Sequence, residues 1–386
     1  MKNLPPNIHK KLANRVAKGN LRKLPSIQSN IDFSSNDYLG MSRSEGLRMR
    51  ISDAHNKLTH NQNGATGSRL LTGNNQLHRE IESELAALFN APASLLFQSG
   101  YMANLAIFSA LPQKGDTIIH DELIHACVKD GARLSFADRY SFRHNDLEDL
   151  ERKIKKAKGN VYVGIESVYS MDGDVAPMKE MAALCNKYGC YLIVDEAHST
   201  GVAGRYGNGL ACELGIQNEL LAVVYTFGKA MGIHGACITG SEELIQYLIN
   251  FSRPFIYTTA MDNHSLLAIR EAFRFLAVHP ELVDGLNTNI QLCHQYLNDL
   301  ESWADDVAFK AQPYAIQPLI IPGNHRVKWL SQELLDYGLD VRPVLSPTVP
   351  EGEERLRVTI HQYNSEEEIL QLRDLLKELL PRLPQH

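Results

Sequence analysis

The chain has 386 residues, more than the about 250 to 300 that a single hydrophobic core usually spans, so a large unit with a smaller companion is expected. A formal charge of −6 and a sequence pI near 6.2 exclude a global attraction to nucleic acid or to an acidic membrane surface. Six cysteines lie scattered without a CxxC pair or a Cys/His array, which excludes a disulfide framework and a structural metal, and no apolar run approaches the about 20 residues of a membrane span, so a soluble cytoplasmic protein is expected.

Residues 1–25 hold seven Lys/Arg and no acid. The absence of serine and the Pro5, Pro6 pair favour an exposed amphipathic arm over a transit peptide. Residues 30–40 run from a short strand into a polar turn that carries Asn36. A second loop, 63–73, concentrates glycines and hydroxyls ahead of the helical pattern Leu77, Ile81, Leu85, Leu88.

Residues 93–97 predict a strand, followed by Gln98, Ser99, Gly100 and Tyr101 and then a helix over 102–110. Free N–H groups at a helix start, with Gly100 permitting close approach, suit a phosphate; the same residues read equally as a turn that holds nothing. Neither GxGxxG nor GxxxxGK[ST] occurs there. Strand 117–119 leads to His120 and His125, which are five apart and so lack the i, i+4 spacing of a zinc helix; no metal is expected. His125 stands instead where a ring could stack on a cofactor. Strand 161–165 precedes a polar loop containing Ser170.

The run 191–194 predicts a buried strand ending in Asp195, with His198 three residues on. The next buried run, 220–225, ends in Thr226 and then Lys229 within a glycine-rich stretch. A lysine held at a strand end, desolvated and lowered in pKa, suits a Schiff base, and a buried carboxylate suits a protonated pyridine nitrogen. Taken singly these are a loop charge, a capping acid and a loop histidine; taken together they favour pyridoxal phosphate (PLP) chemistry. Strands near 94, 118, 162, 192 and 222 alternate with helices, which implies a mainly parallel sheet covered on both faces, with ligands beyond the carboxyl ends of the strands. From about 265 long helices take over, and strands at 315–321, 339–341 and 355–360 with helices at 327–337 and 366–380 predict the smaller unit. Ser365 and Glu368 form a capping-box pattern. Arg357 alternates with its apolar neighbours and so faces opposite to them, where it pairs a structural carboxylate or clamps a substrate one.

Phe33-Ser-Ser-Asn-Asp-Tyr-Leu-Gly40, Ser99-Gly-Tyr101, His125-Ala126, Ser170-Met-Asp-Gly-Asp174, Asp195-Glu-Ala-His-Ser-Thr-Gly201, Thr226-Phe-Gly-Lys229 and Pro347-Thr-Val-Pro350 occur in the order found in the α-oxoamine synthases, and from Arg22 to Arg357 the chain resembles that family. The resemblance implies a PLP-dependent fold type I α/β protein, an N-terminal arm (1–45), a large PLP-binding domain (46–285), a small C-terminal α+β domain (286–386), and a homodimer. It implies that Lys229 holds the cofactor and acts as base, Asp195 pairs its ring nitrogen, His198 meets the ring hydroxyl and His125 stacks on the ring. Gly100, Tyr101 and Thr226 would serve the phosphate with Ser170 nearby, Thr259 would reach the partner's phosphate, and Arg22, Asn36, Thr348 and Arg357 would bind substrate.

Within the family the likeness points to decarboxylating condensation of L-alanine with a pimeloyl thioester, on coenzyme A or an acyl carrier protein, in biotin biosynthesis. Leu345 departs from it, standing where many members of that branch carry arginine. Other acyl transfers of the family (glycine with acetyl-CoA, serine with a long-chain thioester), transamination, and a non-catalytic supporting subunit remain alternatives.

Overall fold

The computed structural model describes residues 3–17, 21–22, 24, 30–59 and 62–385. The central sheet has seven strands: β1 (Ala93–Phe97), β2 (Thr117–Asp121), β3 (Asp138–Phe142), β4 (Val161–Glu166), β5 (Tyr191–Asp195), β6 (Ala222–Thr226) and β7 (Ala236–Gly240), in the spatial order β1-β7-β6-β5-β4-β2-β3. The β-branched runs of β5 and β6 are buried almost throughout, as strands covered on both faces must be. Pairing is parallel from β3 through to β6, and β7 runs antiparallel to both β6 and β1. All five strands expected from the sequence therefore point one way.

Two strands of this sheet carry no clear sequence signal, for different reasons. The edge strand β3, Asp-Arg-Tyr-Ser-Phe, exposes its first four residues, so no apolar run announces it. In β7 the signal is masked by the flanking glycines that make residues 232–240 look like one turn.

A second, four-stranded antiparallel sheet joins β8 (Ala308–Phe309), β9 (Ile316–Ile320), β10 (Arg342–Val344) and β11 (Arg355–Thr359) in the order β10-β11-β9-β8. The helix Glu366–Leu379 packs beside it and starts on the expected capping box: Glu368 N–H donates to Ser365 Oγ (3.2 Å) and Ser365 N–H to Glu368 Oε2 (3.0 Å). Toward the amino end, the helix α1 (Pro6–Ala17) has no buried residue. Farther on, Ile31–Asp32 pairs in parallel with Leu339–Asp340. Thr359 N–H then donates to Phe33 O (2.8 Å) and Gln362 N–H to Tyr38 O (2.8 Å), so the polar turn 34–38 is held by the last strand of the second sheet. Among the described residues no helix is long and apolar enough to cross a membrane.

Candidate active site

Beyond the carboxyl ends of the parallel strands lies a cavity of about 340 Å³, whose wall includes Asn36, Gly100, His125, Asp195, His198 and Lys229. Lys229 is fixed by the loop that follows β6: Phe227 N–H donates to Gly235 O (3.0 Å), Ile233 N–H to Phe227 O (3.0 Å) and Gly232 N–H to Lys229 O (2.8 Å). Its Nζ lies 2.8 Å from His198 Nε2. Burial lowers the Lys229 pKa below the usual ammonium value, the negative charges of Asp195 and Glu166 oppose that fall, and Arg357 adds to it. The amine is thereby readier to lose its proton than a surface lysine.

Asp195 closes β5 and is buried. One carboxylate oxygen accepts from Ala197 N–H (2.9 Å) and the other from Asn104 Nδ2 (2.6 Å). Glu166, at the end of the neighbouring β4, accepts from His125 N–H (2.7 Å), and burial, helped by the charge of Asp195, pushes its carboxyl up to about 8. His125 caps the helix α2 (Ala126–Leu134), its Nδ1 accepting from Cys127 N–H at 3.2 Å. That bond leaves the proton on Nε2, in keeping with a pKa that burial depresses.

His198 is tied on its other side to a residue that sequence reasoning passed over. Tyr38 Oη lies 2.6 Å from His198 Nδ1 and donates to Asn36 Oδ1 at 3.2 Å. Its one proton is thus spent on Asn36, so toward His198 the phenol oxygen accepts. His198 Nδ1 then carries the ring proton and Nε2 offers its lone pair to the Lys229 amine. Burial first, then Lys229, Arg357 and His125, drives the His198 pKa well below its ordinary value, which keeps the ring neutral. The row ends at Arg357, whose Nη2 donates to Asn36 Oδ1 (3.0 Å), Nη1 to Thr359 Oγ1 (3.0 Å) and Nε to Ser170 O (2.7 Å). Three guanidinium N–H groups are engaged in these bonds.

The expected site residues do not all converge. Asn36, Gly100, Tyr101, His125, Asp195, His198, Thr226 and Lys229 line the cavity, and Arg357 stands behind Asn36. Ser170, Arg22 and Thr348 line a neighbouring cavity of about 420 Å³, to which His125 also contributes. Thr259 lines neither; it is exposed, and its carbonyl accepts from the Gln98 side chain at the rim. Tyr38, Asn104 and Glu166 belong to the site without having been singled out. Glu166 had a usable signal, since it closes a strand at the functional edge; Tyr38 lay inside a recognised motif.

The chain matches the family described as aminotransferase class I and II over residues 28–374. It belongs to that family. The 8-amino-7-oxononanoate synthase of Emericella nidulans is 37% identical over 96% of this chain and 93% of that protein. Among solved structures, the 8-amino-7-oxononanoate synthase of Francisella tularensis superposes with a TM-score of 0.78 at 29% identity, covering 92% of this chain and 98% of that one. A serine palmitoyltransferase of S. paucimobilis with a bound PLP–myriocin aldimine gives 0.86 at 26% identity, covering 97% and 96%. The protein is accordingly a PLP-dependent acyltransferase of the α-oxoamine synthase type, of fold type I.

The residues fit that cofactor. The helix Gly100–Ala110 opens on the cavity with its first N–H groups, and a Cβ at Gly100 would come within 2.3 Å of Thr226 Cγ2, so glycine is needed for that turn to approach β6. Asn104 Oδ1 is buried in the wall and finds no hydrogen-bond partner among the described residues. The amine, the buried carboxylate and the helix start match the aldehyde, ring nitrogen and phosphate ends of the cofactor in chemistry.

Proposed function

We propose that the protein joins L-alanine to a pimeloyl thioester, on coenzyme A or an acyl carrier protein, releasing carbon dioxide and the thiol and giving 8-amino-7-oxononanoate, in the cytoplasm and as a homodimer. The observation that carries the reading is the hydrogen-bonded row from Arg357 through Asn36, Tyr38 and His198 to Lys229, which links a carboxylate-binding fork to a base. The similarity to 8-amino-7-oxononanoate synthases supports the choice of substrates.

Bound PLP supplies an electron sink for the carbanion formed at the alanine Cα. Lys229 takes the Cα proton, its lowered pKa bringing it nearer the working pH. His198, with Nε2 facing Lys229, holds that amine in place. Asp195, anchored by Asn104 and Ala197, keeps a negative charge where the ring nitrogen needs one. Arg357 takes the amino acid carboxylate before it leaves as carbon dioxide. Gly100, Tyr101 and Thr226 hold the phosphate, with Ser170 adjacent and His125 over the ring. Arg22 and Thr348 receive the acyl donor, and Thr259 serves the site of the second copy. Residues 1–45, 46–285 and 286–386 act as arm, cofactor domain and small domain.

The test is a panel of thioesters (acetyl, pimeloyl, palmitoyl) against alanine, glycine and serine, following thiol release. Pimeloyl with alanine should turn over fastest, and Lys229→Ala should lower it by at least about 10³-fold. Faster reaction of serine with palmitoyl-CoA or of glycine with acetyl-CoA rejects the substrate pair.

A further inference from the structure

Arg357 stands on the second sheet and Lys229 beyond the parallel one, so their relative placement depends on what spaces the two sheets. The loop 167–175, which follows β4, touches both. On one side it meets β9 and β11: Ser170 O accepts from Arg357 Nε (2.7 Å), the Asp172 carboxylate pairs with Arg355, and a Cβ at Gly173, whose φ is +72°, would come within 2.3 Å of Ile316 O. Its own bonds make the loop a tight unit, Gly173 N–H donating to Tyr169 O (2.8 Å) and Tyr169 N–H to Asp174 O (2.9 Å). On the other side Asp174 Oδ2 lies 2.7 Å from His144 Nε2 and accepts from Asn145 Nδ2 (2.8 Å), while His144 Nδ1 lies 3.0 Å from Asp121 Oδ1 at the end of β2. Asn145 N–H donates to the other Asp121 oxygen (3.0 Å), and the Tyr169 ring stands edge-on to the imidazole with 4.4 Å between centroids. An imidazole can donate to both carboxylates only as the cation. His144 lines neither of the two cavities described above, so it acts on the site through the loop.

A guanidinium is a planar fork, and its aim is set by where its donors are met. Two acceptors of Arg357, Asn36 Oδ1 and Thr359 Oγ1, are side-chain atoms; the third, the Ser170 carbonyl, is backbone of a loop that Asp174 ties to the parallel sheet. We infer that His144 is a positioning residue for Arg357: by clamping Asp174 to Asp121 it sets the place of the loop 169–174 and, through the Ser170 carbonyl, the direction of the guanidinium. The inference rests on the reading that Arg357 takes the amino acid carboxylate, and adds to it a residue outside the site that governs the grip. Two side chains linked in this way should be energetically coupled.

The test follows the cofactor absorption of the PLP-loaded enzyme as L-alanine is added, or L-alaninol, which has a hydroxymethyl group in place of the carboxylate. In His144→Asn the apparent Kd for alanine should rise about tenfold, the worth of one charge-assisted hydrogen bond, and that for alaninol by less than about twofold. Asp174→Ala, which cuts the clamp at its other end and leaves His144 on Asp121, should give the same split. A loss of folded protein lowers the signal for both ligands alike and cannot imitate it. In an Arg357→Gln background, adding His144→Asn should change alanine binding by less than about twofold; a further tenfold weakening overturns the inference. Nitrogen NMR of arginine-labelled protein gives a readout without ligand: the Nε–H signal that Arg357→Gln removes should exchange with solvent at least about tenfold faster in His144→Asn than in the parent. Unchanged exchange overturns the inference, as do equal losses for the two ligands in an enzyme where Arg357→Gln separates them. If Arg357→Gln weakens alanine and alaninol equally, the carboxylate reading of Arg357 fails, and the exchange rate alone decides whether His144 positions that side chain.

Discussion

His144 and His198 follow strands at the same edge of one sheet, the first partly buried and the second fully, and the fold sends them in opposite directions. His144, after β3, is clamped by two carboxylates, Nδ1 at 3.0 Å from Asp121 and Nε2 at 2.7 Å from Asp174. Burial works against its charge, yet the two acids prevail and raise its pKa to about 10. For His198, after β5, burial acts with Lys229 and Arg357, and the ring stays neutral. Burial alone therefore does not fix a histidine's charge; the sign of the neighbours decides with it. One edge holds a charged ring that ties β2 and β3 to the 170–175 loop, and, after β5, a neutral ring that can accept from an amine.

Removing the clamp should show the largest effect. His144→Asn is expected to cost about 3 kcal/mol of unfolding free energy near pH 6, measured by urea denaturation. Because the folded pKa lies above the ordinary 6.5, that contribution is full below 6.5, declines as pH rises and is lost through about 10. A penalty unchanged at alkaline pH would show that the pair is not an ion pair.

The opposite pH dependence is expected of the other ring. A folded His198 pKa below 6.5 means stability is present above that pH and lost as pH falls, at about 1.4 kcal/mol per unit. His198→Asn should therefore be destabilised at pH 7 but gain on the parent by about 2 kcal/mol on going to about pH 5. Parallel curves for the two proteins would break the contrast between the histidines.

Smallest is the effect of the hydroxyl that sets the tautomer. Tyr38→Phe keeps the buried ring and should cost about 1 kcal/mol. Nitrogen NMR of histidine-labelled protein should then show the His198 ring proton no longer confined to Nδ1, whereas a purely structural role for Tyr38 would leave that signature alone.

Much of this edge was legible in the sequence because strand ends are easy to locate: the apolar runs before Asp195 and Thr226 stop abruptly, and the parallel pattern requires such ends to share an edge. What was not legible is which groups meet across it. Asp121 and His144 are separated by 23 residues and belong to two strands, one of them the exposed β3 that carries no apolar signal. Tyr38 meets His198 over 160 residues, and Ser170, read as a neighbour of the phosphate, opens instead on the second cavity with Arg22. Periodicity reports the direction a residue faces along its own strand, not the identity of what arrives from another.

The bond between Asn36 and Arg357 joins residues 321 positions apart, and the turn that carries Asn36 is held by Thr359 and Gln362. During synthesis from the amino end, the edge carrying Asp195 and Lys229 is complete once β7 has emerged, but the bond between Asn36 and Arg357 is still unmade. A chain that stops before Arg357 thus has Lys229 and Asp195 at one sheet edge but no guanidinium for Asn36, so on the function proposed above the amine and the group that takes the amino acid carboxylate meet late in synthesis.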